Sequence, residues 1–195
     1  MRRFIRIVAI LLFLAAAYVG WALHAFAQLA EAVRSGDGAA VAARTNFTQL
    51  THSLSDQIVD AYLKRISATR KIKPMERMLI GGYGGAVADA LVHKLLTPEV
   101  LTQVLRTGEF PAAAEGAPAA RMSALHRLDI GNLVSLVSGL HFITPVRIAI
   151  PADGGRDPER RAAVIMHREG WSWRLAGIEL PPAVAQSLAA RLPVR

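Results

Sequence analysis

Six histidines are the first residues to weigh for chemistry: His24, His52, His93, His126, His141 and His167. No two stand four apart on one helix face with a glutamate between them, so the zinc-protease pattern is missing. No Gly-x-Ser-x-Gly elbow places a serine for nucleophilic attack. The chain has no cysteine, which removes thiol nucleophiles, disulfides and thiolate metal sites. Gly81-Gly82-Tyr83-Gly84-Gly85 has the glycine density of a phosphate loop but lacks its Lys-Ser/Thr, and reads as a flexible turn. The carboxylates are dispersed. Asp37 falls where a helix cap belongs, and Asp153 and Asp157 fall in a Gly/Pro-rich turn. The expectation is a protein that is not an enzyme and has no catalytic, cofactor-binding or metal site.

What remains are residues suited to binding. Trp171 and Trp173 alternate along one stretch, and Phe47 and Tyr62 share a helical stripe. These four form the candidate ligand or partner surface, although a core wall against the helices is the favoured reading of the tryptophan pair. Lys64, Arg65, Arg70, Lys71 and Lys73 cluster at the end of a predicted helix. Cations there complement the helix dipole, and a lipid-headgroup patch is the sharper alternative. Net charge is +8, and setting aside Arg2, Arg3 and Arg6 leaves 20 basic against 15 acidic side chains. The basic residues are scattered with few interleaved aromatics, which disfavours nucleic acid as a partner.

The elements that would position these residues begin with an apolar run. After Arg2, Arg3 and Arg6, no charge occurs from Ile7 to Leu23. At about 1.5 Å per residue, the stretch from Phe4 to about Leu23 matches a bilayer core of roughly 30 Å. Tyr18 and Trp21 stand near its far end, where amphipathic rings favour the headgroup level. Ala25-Phe26-Ala27 has the form of a signal-peptidase site, so a cleaved signal competes with an anchor. Against cleavage, Leu23, Phe26, Ala30 and Val33 already continue as an amphipathic stripe. Arginine bias places the basic head in the cytoplasm. The expected organisation is a head and transmembrane anchor over residues 1–27 and an extracytoplasmic domain over 28–195. The expected location is the inner membrane, single-pass, with the domain in the periplasm or its equivalent.

Within the domain, Gly36 should end one helix and Asp37 should cap the next, from Gly38 to about Arg44. A helix from about Thr48 to Arg70 carries the stripe Phe47, Leu50, Leu54, Ile58, Tyr62 and Ile66. Pro74 ends that segment, and Ala86 to Leu96 looks helical. Thr97-Pro98-Glu99 starts another helix, running to Arg106. Residues 111–118 read as a loop. Strand patterns follow at Phe142 to Ile150, Ala162 to His167 and Trp171 to Leu180, with a weaker one at Leu128 to Leu140 and a turn at 153–158. In the last strong pattern Trp171, Trp173, Leu175 and Gly177 share a face, and Ile178 and Leu180 follow a bulge. The fold class is α+β: a transmembrane helix, a layer of four to five helices, and a C-terminal antiparallel sheet of three to four strands.

Three stretches carry a family resemblance: Gly36-Asp37 with Asn46-Phe47-Thr48-Gln49-Leu50, Ser53-Leu54-Ser55-Asp56-Gln57, and Arg168-Glu169-Gly170-Trp171-Ser172-Trp173-Arg174-Leu175 through Leu180-Pro181. They resemble the domain of unknown function 2939, a family of uncharacterised bacterial proteins with an N-terminal hydrophobic segment. Asn46 stands where that family usually has aspartate, and Thr48 where it has proline. The resemblance implies architecture and location, and carries no activity. Two functions stay open. One is a non-enzymatic envelope module that binds a protein partner. The other is a small carrier of an apolar ligand or lipid, with a pocket between helices and sheet. A large apolar cavity would favour the carrier, and a filled core with an exposed apolar patch would favour the module.

Overall fold

The apolar run and the stripe that follows it form one helix. In the computed structural model, which describes residues 2–70, 73–107, 140–151 and 162–190, α1 spans Arg2–Ser35 without a break. It has two characters. Every described side chain up to Ala17 is exposed, whereas Ala22, Phe26, Leu29, Ala30, Ala32 and Val33 are buried. The helix runs straight through Ala27, across the boundary that composition suggested. It ends as glycine geometry dictates. Gly36 takes φ 72°, its N–H donates to the Val33 carbonyl, and the Asp37 N–H donates to that of Ala32. This pair of bonds closes the last turn.

Asp37 then caps α2 (Gly38–Ala43), its side chain accepting from the Ala40 N–H at 2.9 Å. Asn46 caps α3 (Phe47–Thr69) in the same way, accepting from Gln49 at 3.0 Å. Leu50, Leu54 and Ile58 of its stripe are buried, and Phe47 and Tyr62 are half-buried. Helix α4 spans Pro74–Leu95, so the glycine run is not a turn but lies mid-helix. Each glycine there costs about 1 kcal/mol relative to alanine, which is why the sequence reads as a break. Packing of α4 along α3, with Ala88 buried, outweighs that local preference. Helix α5 (Pro98–Thr107) starts as predicted, with the Thr97 hydroxyl accepting from Val100. Its Leu101, Val104 and Leu105 meet Leu29, Val33 and Val41 in one core.

The sheet is a meander of four antiparallel strands in the order β1 (His141–Thr144), β2 (Arg147–Pro151), β3 (Ala163–Glu169) and β4 (Ser172–Glu179). The pattern from Phe142 to Ile150, which reads as one strand, is two strands folded at Pro145-Val146. Proline has no N–H to give a central ladder, so the chain turns there. At the β3–β4 hairpin Gly170 has φ 57°, and Trp171 belongs to the turn rather than to the strand. Met166 pairs with Leu175 but Ile165 pairs with Gly177, so Ala176 is bulged out. The bulge returns Ile178 to the face of Trp173 and Leu175. Gly177 therefore lies on the opposite face, beside Ile165. A final helix, α6, spans Pro182–Ala189 and packs on α3. The predicted loop at 111–118, strand at 128–139, turn at 153–158, Lys71 and His126 lie outside the described residues.

Candidate functional site

The sheet meets α1 at the β1–β2 and β3–β4 turns, which lie at one end of the meander. The Tyr18 hydroxyl donates to the Pro145 carbonyl at 2.5 Å. The Tyr18 ring meets Trp173 edge-on, with centroids 5.5 Å apart. One turn further along α1, Trp21 lies 6.3 Å from Trp171. Tyr18 and Trp21 share a helix face because they stand three apart. The Arg168 guanidinium sits 5.7 Å from the Tyr18 ring and 5.8 Å from the Trp21 ring, a cation held over two π faces. The two turns are themselves tied, the Arg168 N–H donating to the Val146 carbonyl at 2.8 Å. The result is an aromatic collar around α1 where its exposed half gives way to its buried half.

Within the collar the two predicted tryptophans part company. Trp173 is buried at 3% exposure, and Trp171 is 84% exposed. Trp173 faces the helices as alternation requires, and its ring neighbour is Tyr18 of α1 rather than a residue of α3. Its indole N–H has no acceptor among the described residues. Arg174, on the other face, pairs with Glu169 at 3.6 Å. Phe47 and Tyr62 do not join the tryptophans. Phe47 packs against the core from the first turn of α3, and Tyr62 lies along that helix with Arg65 over its ring at 5.5 Å.

The basic cluster lies elsewhere again. Lys64 stands 3.7 Å from Asp60, and Arg70 forms a short pair with Glu76. The hydrogen bond from Arg70 holds the Glu76 carboxyl below its ordinary value. Lys73 precedes α4. Lys64 and Arg65 sit some 27–29 Å along the axis of α3 from Asn46, at about 1.5 Å per residue, and Arg70 follows the last turn of that helix. Asn46 bonds Glu169 next to the hairpin turn. The fold thus does not bring the cluster to the collar.

Two residues outside the candidate surface, Asn46 and Gln57, hold the sheet in place. The outer edge of β4 faces α3, and that edge is paired. Asn46 N–H donates to the Leu175 carbonyl, and Leu175 N–H donates to that of Arg44, each at 2.8 Å. Further along, the Gln57 side chain copies a peptide unit: its amide donates to the Ile178 carbonyl and its oxygen accepts from the Leu180 N–H, both at 2.8 Å. Ser53 fits over Gly177, where an added Cβ would come within 2.8 Å of its hydroxyl oxygen. On the outer side of this contact lies an open groove of about 590 Å³, lined by polar residues that include His52, Asp56, Arg147 and His167. His52 lies 3.6 Å from Asp89 across α3 and α4. Among the described residues, no cluster of three His, Asp or Glu could hold a metal ion.

Residues 11–104 match the family model described as protein of unknown function, DUF2939. Over those residues the chain is similar to the DUF2939 family. No curated protein and no solved structure matches the chain. The DUF2939 segment begins inside the exposed half of α1 and ends in α5. It contains Asn46 and the Ser53-Leu54-Ser55-Asp56-Gln57 stretch, whose role here is to grip β4. The strand they grip, with the Arg168 to Pro181 stretch, lies outside the matched residues. Spacing alone could have revealed Gln57, because Ser53 and Gln57 share a helix face next to the apolar stripe. Arg168 gave no such signal, since its partners are about 150 residues away.

Proposed function

We propose that this DUF2939-like protein is a single-pass, membrane-anchored interaction module of the bacterial envelope, without catalytic activity, whose domain lies outside the cytoplasm. One observation carries the reading: α1 is at once the apolar span and a core element. Its exposed half, with the basic residues at its start, suits lipid, while Phe26, Leu29 and Val33 are fully buried in the domain. Cleavage after Ala27 would remove Ala22 and Phe26 from that core, together with the ring partners of Trp171 and Trp173. Burying a phenylalanine contributes about 1.5–3 kcal/mol, so a cleaved domain would lose much of its margin. An anchor therefore fits the packing better than a removable signal.

The space between α3 and the sheet is filled by Leu50, Leu54, Met166, Leu175 and Ile178, which supports a module over a carrier. The polar groups serve structure: Asp37, Asn46 and Thr97 cap helices, and His52 stands between Asp56 and Asp89 on the surface. The test is the mass of the chain isolated from cell membranes. An intact chain that still contains Arg2 to Ala27 is expected. A mature product beginning at Gln28 would overturn the anchor.

A further inference from the structure

Large apolar side chains are exposed in two places that adjoin. One is the first half of α1, from Phe4 to Leu14. In the sheet they are Phe142 and Ile143 on β1, Val146 in the β1–β2 turn and Trp171 in the β3–β4 turn. Both turns are fastened to α1 at Tyr18 and Trp21. The apolar patch on the sheet is thus continuous with the surface of α1 that suits lipid.

The length of α1 gives an independent reason to connect them. The part free of domain contact runs from Phe4 to Ala17. Fourteen residues of helix cover about 21 Å, some 9 Å short of a hydrocarbon core of roughly 30 Å. A span of full depth has to include residues up to about Leu23, and Tyr18 and Trp21 fall in that stretch. Those two side chains carry the hairpin turns, so the turns must enter the membrane with them.

We propose that the two hairpin turns of the sheet are themselves a membrane-docking surface, with Trp171 and Val146 inserted at the headgroup level of the same bilayer that α1 crosses. This rests on the anchor reading above and deepens it: the domain sits on the lipid instead of swinging free on its helix. The chemistry fits such a surface. Tyrosine and tryptophan rings settle where apolar chains meet headgroups. Arg168, held over Tyr18 and Trp21, presents a cation to lipid phosphate at the same depth. Beyond its contact with Trp21, the exposed Trp171 ring leaves most of its apolar surface in water, whereas in an interface it is an anchor.

The natural absence of cysteine makes the test direct. Single substitutions Leu11→Cys, Val146→Cys, Trp171→Cys and Gln186→Cys are each labelled with a polarity-sensitive fluorophore in the full chain. Each is reconstituted in vesicles of phosphatidylcholine and phosphatidylglycerol. Gln186 is exposed on α6, beyond the opposite end of β4. The labels at 146 and 171 should be quenched several-fold more by a headgroup nitroxide lipid, and several-fold less by aqueous iodide, than the label at 186. Labels at 146 and 171 that respond only to iodide, with the label at 11 quenched by deep nitroxide lipid, would overturn the docking and leave the anchor standing. Protection from iodide without lipid quenching would show a protein covering the patch, and also overturns it. Failure of lipid quenching at 11 would bring down the anchor and the docking together.

Discussion

Asn46 holds three parts of the molecule with one residue. Its side-chain oxygen caps α3, its backbone N–H joins the edge of β4, and its amide NH₂ donates to Glu169. Aspartate, usual in the family resemblance, would keep the cap but set a second carboxylate against Glu169. Asn46→Asp should therefore destabilise the domain by about 1–2 kcal/mol at neutral pH. The loss should shrink in acid, where a shared proton relieves the repulsion. Chemical denaturation at two pH values checks both parts. Trp173 poses a different question. Its ring is buried against Tyr18, but its N–H is unsatisfied. Trp173→Ala should cost about 3–5 kcal/mol through the cavity it leaves. Trp173→Phe should cost clearly less, since it keeps an aromatic ring and removes the orphan donor. Equal losses would mean that the N–H has a partner such as a bound water. Arg174→Ala, on the solvent side, should stay within about 0.5 kcal/mol.

At the scale of elements, α3 and β4 depend on each other. An edge strand exposes a row of unpaired N–H and C=O groups, which invites association with other chains. Here α3 covers the edge with Asn46 at one end and Gln57 at the other. Gln57→Ala would leave the Ile178 carbonyl and the Leu180 N–H without partners, a cost of about 1–3 kcal/mol. It should also raise the tendency to aggregate. Thermal melts with light scattering would show both, and an unchanged melting temperature would refute the pairing. The helices were legible in the sequence because their signals are local. Gly36-Asp37 and Thr97-Pro98-Glu99 define ends within a few residues, and the α3 stripe repeats every turn. The glycine run of α4 was misleading because its helicity comes from packing on α3, which no local signal records. Pro145 was visible, but alternation on both sides of it concealed the turn. The bulge at Ala176 was legible as a break in alternation, although its place, one residue before Gly177, depends on pairing with β3.

For the whole molecule, an apolar N-terminal stretch followed by an α+β domain was legible from charge and hydropathy, but their union in α1 was not. Leu23, Phe26, Ala30 and Val33 hinted at a second helix. Only packing shows that the buried face begins with Tyr18, inside the apolar run. The collar was equally hidden, because Tyr18 reaches Pro145 and Trp173 across most of the chain. Orientation remains a matter of charge. Arg2, Arg3 and Arg6 precede the apolar run, and the next arginine, Arg34, is paired with Glu31 at 3.0 Å. Lysine and arginine near a span are retained in the cytoplasm, and here the excess lies wholly on one side. A reporter active only outside the cytoplasm, fused after Arg195, should therefore be active. Combining Arg2→Glu, Arg3→Glu and Arg6→Glu should sharply reduce that activity, since the bias that orients α1 is gone while its apolar length is kept. The domain packing of α1 begins at Tyr18, twelve residues beyond Arg6, so the fold itself should be unaffected. Protease protection of the domain in sealed vesicles provides a second readout. If the triple variant keeps full reporter activity, charge does not set the orientation, and folding of the domain on the far side must pull α1 through.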